Sequence, residues 1–183
     1  MRNFDYLASI QGLEYLYRFC RAAEEYQQCD PDMSAINARR ALEHIIRELY
    51  NLKNVEISER TSLLELIDGE PLTEFIGHDK ILMSDHYVRK VGNRAAHTGC
   101  VSKKESFFCL LNIYNVIAAI LLKLQVVGDI NPFDKELIPN KAENNIFIPS
   151  TQSNCGSSDD LGKVAKRSTI ESPAPVTSLQ SSI

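Results

Sequence analysis

Apolar residues recur at helical spacing through the first 127 positions and then lose that rhythm. Leu13, Leu16, Tyr17, Cys20 and Ala23 share one face of a helix expected over about Leu13–Gln28. Asp30 followed by Pro31 is a helix start, with the acid as cap and the proline where a missing N–H costs nothing. The helix it opens runs to about Tyr50, with Ala35, Ala38, Leu42, Ile45 and Leu49 as its apolar stripe. Ser62 and Glu65 form a capping box for a short helix ending at Gly69. Pro71 begins another short turn, "PLTEFI", closed by Gly77. Asp79 opens a helix that carries "HYVRKVGNRAAHTG", His86–Gly99. Ser102 and Glu105 repeat the capping box, and the helix they start reaches about Val127. That helix is apolar nearly all round, through Phe107, Phe108, Leu110, Leu111, Ile113, Tyr114 and Ile117, as a central helix is. Period-two alternation is confined to short stretches such as "NVEIS". The pattern predicts an all-α fold: a compact bundle of five to six helices around the central apolar last helix.

After Val127 the chain turns rich in Ser, Pro, Asn and Thr, too polar to offset its ordering entropy by burial. "NPFDKELIP" has apolar residues enough to pack back on the bundle. From about Ser150 a linker or disordered tail is expected. The division is thus a helical domain over 1–139 and a low-complexity tail over 140–183, without internal repeats.

Composition adds constraints. An apolar share of 44% and a charged share of 24% suit a water-soluble domain, and a net charge of −4 gives no global basic field for nucleic acid or membrane. The five cysteines (Cys20, Cys29, Cys100, Cys109 and Cys155) form no CxxC pair, which argues against a zinc ribbon and for free thiols in a reducing cytoplasm. Cys20 and Cys109 fall on apolar faces and read as small hydrophobes. His44 and His78 stand at no ligand spacing. The opening "MRNFDYLASIQGLEYLYRFC" has no signal-type apolar run. The most apolar run, Val116–Leu122, is far shorter than the roughly 20 residues a bilayer needs. Cytoplasmic location, no membrane contact, no metal and no cofactor are the expectations.

The candidate chemistry lies in His86–Gly99. His86, Arg89, Asn93 and His97 are three, four and four residues apart and share one helical side if the helix survives Gly92. Glycine there costs about 1 kcal/mol relative to alanine, so it predicts a bend or a close backbone approach. With a bend, Asn93 would cap a new turn through "RAAH", packed closely through Ala95 and Ala96. Arg89 and His97 then have two readings: a guanidinium holding phosphate while the imidazole moves a proton, or hydrogen bonds tying the helix end to the bundle. The latter is the commoner arrangement in proteins. On the second helix, Glu43 and Arg47 make an i,i+4 pair beside Arg39 and Arg40, either an anion-binding face or a solvated ion-pair face. Lys103 and Lys104 oppose the dipole of the helix they begin, which hints at a basic surface contact. No phosphate loop, GxSxG, HExxH or paired-carboxylate pattern occurs.

"LYRFCRAAEEYQQCDPDMSAINARRALEHIIRELY", "YVRKVGNRAAHTG" and "KKESFFCLLNIYNVIAAIL" together resemble the HEPN-like helical domain that begins many bacterial type I restriction enzyme R subunits and related DEAD/DEAH-box helicases. The resemblance covers about Phe4–Pro139, and its strongest element is "RKVGNRAAH" after a helix carrying "RRALE". It implies a HEPN-type bundle that normally precedes nuclease and helicase modules, so this chain would be an N-terminal fragment or truncated product. Active HEPN ribonucleases place an Arg, a polar residue and a His with four to six residues between Arg and His. Here Arg94 leaves two and Arg89 leaves seven before His97. His97, Asn93 and Arg89 are the motif positions, with Arg94 the other candidate arginine, and the register points away from cleavage.

Three functions follow as expectations. The first is a non-catalytic interaction or assembly domain of a restriction or helicase system, docking partner subunits or a second copy, with Ala95 and Ala96 at a two-fold seam. The second is a metal-independent ribonuclease, with His97 as acid and base and Arg89 or Arg94 on the phosphate. The third is nucleic-acid binding without chemistry through Arg39, Arg40, Lys103 and Lys104, which requires those four on one surface.

Overall fold

Asp30 caps as its place before Pro31 predicts: its carboxylate accepts the Met33 N–H at 3.0 Å. The helix it opens, α2 (Pro31–Leu52), is the long spine of a computed structural model that describes residues 2–77 and 80–140, apart from the side chains of Lys80 and Leu82. The other helices among the described residues are α1 (Glu14–Tyr26), α3 (Leu63–Asp68), α4 (Glu70–Ile76), α5 (Lys80–His97) and α6 (Lys103–Lys123), with single 3-10 turns at Asp5–Ser9 and Lys135–Leu137. No strand occurs among the described residues; "NVEIS" is irregular. The fold is all-α, as the periodicity indicates. Asp79 and the segment from 141 onward, where a tail was expected, lie outside the described residues.

Both capping boxes form. Ser62 accepts the Glu65 N–H while Glu65 accepts the Ser62 N–H, and Ser102 and Glu105 do the same. Two helices end without a glycine to mark the stop, α2 close to the expected Tyr50 and α6 before the expected Val127. Asn54 (φ 54°) ends α2 and Gln125 (φ 58°) ends α6, both in the left-handed region. In each case the next residue's N–H reaches back five positions, Val55 to the Tyr50 carbonyl and Val126 to the Leu121 carbonyl, both at 3.0 Å. This closure stops α6 at Lys123, short of the expected Val127.

The core lies where α2 meets the rest. It packs against every other helix, most extensively α1, α5 and α6, while α6 packs mainly on α2 and α5. Leu42, Ile46 and Leu49 from α2 and Leu110, Ile113 and Ile117 from α6 are almost wholly buried, each contributing about 1.5–3 kcal/mol of apolar burial. By length and composition alone α6 would pass as a membrane-crossing helix; half of that apolar stretch is buried within the fold, where the contacts with α2 and α5 demand it. The register of α5 on α2 is antiparallel: Gly92 lies against Ala35 and Arg39, and the loop after α5 reaches Asp32.

"NPFDKELIP" does return to the bundle. The Asn3 side chain donates to the Asp134 carbonyl at 2.9 Å and accepts the Asp134 N–H at 2.7 Å. The Tyr114 hydroxyl donates to the Asn131 carbonyl, and the Phe133 ring packs edge-on to Tyr114 with centroids 5.3 Å apart. Asn3 in turn donates to the buried Glu24 carboxylate at 2.7 Å. Burial raises the Glu24 pKa, and the Asn3 bonds oppose that rise. Cys20 and Cys109 are buried, and burial lifts both thiols, Cys109 to about 12. The expectation of free thiols holds at Cys20, Cys29 and Cys109. At Cys100 it does not, because that residue is disulfide-bonded.

Candidate functional site

α5 runs unbroken through Gly92, so the expected bend and the new turn capped by Asn93 do not exist. The glycine serves the second expectation, a close approach. A Cβ built there would stand 2.5 Å from the Arg39 Cβ and 3.0 Å from the Ala35 carbonyl oxygen. The helix ends where Thr98 and Gly99 both donate N–H bonds to the Arg94 carbonyl, at 2.9 and 3.1 Å, with Gly99 at φ 70°. The following loop is held by Asp32 in the first turn of α2, whose carboxylate accepts the Cys100 and Val101 N–H groups at 3.2 and 2.8 Å.

On this continuous helix the motif residues separate into two groups. Arg94 is committed: its guanidinium pairs with Glu105, the same carboxylate that closes the α6 capping box. The Ser102 N–H bond first, and then that pairing, hold the Glu105 carboxyl below its usual range. His86 is also engaged, its Nε2 lying 3.2 Å from an Asp68 carboxylate oxygen on α3. Arg89, Asn93 and His97 are not engaged. Arg89 is half-buried, with its Nε enclosed and without an acceptor. Asn93 is half-buried and His97 exposed, and neither makes a hydrogen bond among the described residues. The reading in which Arg89 and His97 tie the helix end to the bundle therefore fails; Arg94, Thr98 and Asp32 do that work. Arg89 and His97 lie eight residues apart, about 12 Å along an unbroken helix at 1.5 Å per residue. Ala95 is only 8% exposed and belongs to the core, so a seam built on both alanines keeps only Ala96 at the surface.

The four cations proposed as one basic surface do not converge. Arg39 lies over Gly92 on the α5 side of α2 and reaches Glu43 at 3.7 Å. Arg40 lines a groove between α1 and α2 instead. Lys103 and Lys104 are exposed on the first turn of α6, where the Lys103 carbonyl accepts from Gln27 at the end of α1. Glu43 also takes Arg47 at 3.2 Å, so this part of α2 is an ion-pair face. Among the described residues no group of three or more His, Cys, Asp or Glu side chains is placed to hold a metal ion.

One titratable residue escaped the sequence reading. Asp85 in α5 is fully buried, neither carboxylate oxygen has a hydrogen-bond partner, and burial pushes its pKa up to about 8. The signal was present: Ile81, Asp85, Val88 and Gly92 follow the spacing of the buried helix face, which puts a carboxyl where an apolar residue is expected.

The fold and this row define the chain as an all-helical bundle that displays Arg89, Asn93 and His97 along one open helix side. No protein-family model matches it, and no curated protein or solved structure matches it significantly.

Proposed function

We propose that this domain is a non-catalytic interaction and assembly module of a DNA-restriction or helicase system, like the HEPN-like domain that opens type I restriction R subunits, and that it pairs with a second copy of itself. The family side rests on the sequence resemblance alone. The non-catalytic side rests on one observation: among the described residues neither motif arginine is placed to work with His97. Arg94 is spent on Glu105, and Arg89 is two turns away on a straight helix. A phosphoryl-transfer site needs the proton donor and the charge stabiliser around the same oxygen atoms. What the row does offer is an open, unpartnered polar side with Ala96 among it, which suits a self-complementary seam.

Light scattering on the purified chain at micromolar concentration tests the pairing. A dimer is expected, converted to monomer by Ala96→Arg, a surface change that leaves the fold intact. A wild-type monomer would overturn it. The same preparation should leave a mixed RNA pool intact with and without divalent metal. Cleavage that is lost in His97→Ala would install the ribonuclease reading instead.

A further inference from the structure

The groove between α1 and α2 takes in Arg40 and none of the α5 residues. It encloses about 530 Å³. Arg18 and Arg21 from α1 and Arg40 from α2 face a single carboxylate there, Glu25, and Phe19 and Ala22 supply apolar lining. The chain as a whole carries a net charge of −4, so this excess of cations is local and does not follow from composition.

Two of the three guanidinium groups are available. Arg21 is neutralised by Asp5 at 3.2 Å and Glu25 at 3.1 Å, and Glu25 is used further by Arg2 at 3.2 Å. Arg18 and Arg40 are exposed and have no carboxylate within ion-pairing distance among the described residues. Arg18 also rests beside the Tyr15 ring, which stands outside the groove lining; that contact leaves its charge uncancelled. The placement of the two free cations decides which anion suits them. A phosphate gathers about two charges on one centre and is held by donors that converge on it, above all the N–H groups at a helix start. Arg18 and Arg40 lie inside α1 and α2, on opposite walls, where the backbone N–H groups are spent on the helices. Single charges spaced along a chain fit better. Each arginine fork can take one carboxylate through two N–H groups, with an apolar side chain between them against Phe19 and Ala22. Arginine beside an aromatic ring is also the composition in which protein–protein contacts are enriched.

We propose that the α1–α2 groove docks an acidic–apolar segment of a partner protein, with Arg18 and Arg40 holding its carboxylates. This rests on the reading of the domain as an assembly module and names the chemistry of the segment it captures, at a site that uses none of the α5 row. Fluorescence anisotropy of the full chain with a labelled synthetic peptide of glutamate and leucine tests it. Binding is expected, and loss of binding when glutamine replaces glutamate in the peptide. Arg18→Gln and Arg40→Gln should each weaken it at least tenfold, and Arg60→Gln, an exposed arginine outside the groove, should leave it unchanged. Both groove positions are exposed, so the variants should keep the circular dichroism and the light-scattering mass of the wild type. That mass separates the two sites: a monomer that binds the peptide overturns the pairing alone, and a dimer that ignores the peptide overturns the groove alone. No binding at millimolar peptide, equal binding of the glutamine peptide, or affinity indifferent to both groove substitutions would overturn the proposal. So would displacement of the peptide by an equal concentration of AMP or inorganic phosphate, which would give the groove to phosphate.

Discussion

Gly92→Ala separates two arguments by the sign of its effect. On an isolated helix the change stabilises by about 1 kcal/mol, because alanine loses less backbone freedom than glycine. In this fold the new methyl group would stand 2.5 Å from the Arg39 Cβ, 3.0 Å from the Ala35 carbonyl oxygen and 3.1 Å from the Arg39 Cδ. The Cβ of Arg39 cannot swing aside, since it is fixed to the α2 backbone. Relief therefore requires α5 and α2 to part by about an ångström over their contact, and overpacking of this kind costs about 1–3 kcal/mol. The net expectation is destabilisation of up to about 2 kcal/mol in urea unfolding followed by circular dichroism, with the denaturant slope unchanged. Second-site changes sharpen it. Arg39→Ala keeps the offending Cβ and should give no rescue, whereas Arg39→Gly removes it and should make Gly92→Ala far less damaging in a double-mutant cycle. A Gly92→Ala protein more stable than wild type would refute the close approach and, with it, the antiparallel register of α5 on α2.

Three further outcomes are expected. Asp85 has a folded pKa of about 8 against about 3.9 unfolded, so the folded state holds the extra proton and stability falls as pH rises between those values; Asp85→Asn should flatten that slope, and an identical slope in both proteins would refute it. Asp32→Ala leaves the Cys100 and Val101 N–H groups without their acceptor, which should cost about 1–3 kcal/mol and speed hydrogen exchange at Val101; unchanged exchange there would count against the tether. His97→Ala removes an exposed side chain without partners, so its unfolding midpoint should move by no more than about 0.5 kcal/mol equivalent, and a larger loss would reveal a structural role.

The helices were legible because each carries a local signal of its own. Asp30–Pro31, Ser62–Glu65 and Ser102–Glu105 are start signals within four residues of chain, and all three operate as read. Ends were harder where Asn54 and Gln125 take the left-handed conformation that glycine usually marks. The site was legible as composition but not as geometry. That Gly92 accommodates Arg39 depends on a residue 53 positions earlier, and that Arg94 belongs to Glu105 depends on how the 98–102 loop turns. Periodicity sees neither, because both are contacts between helices. Arg39 and Arg40 show the same limit: adjacent in sequence, they are carried to different sides of α2 by the helical turn of about 100° between them.

Packing explains much of what first made His86–Gly99 look like a reaction centre. Gly92 is there for Arg39, Arg94 for Glu105, and Thr98 and Gly99 for the end of α5. His86 belongs with Asp68. Removing those from the motif leaves Arg89, Asn93 and His97 as polar residues without a hydrogen-bond or ion-pair partner among the described residues. The Arg89 Nε is enclosed without an acceptor, a state it shares with the Nε atoms of Arg21 and Arg39, and its guanidinium has no carboxylate partner among the described residues. The seam proposed for α5 therefore makes a local demand: pairing must bring an acceptor to Arg89. Arg89→Met should then weaken the dimer while leaving the monomer fold at least as stable, because it keeps the apolar stem and deletes the unmet donor. If Arg89→Met dimerises as tightly as wild type, the row on α5 is not the seam, even should the protein prove dimeric.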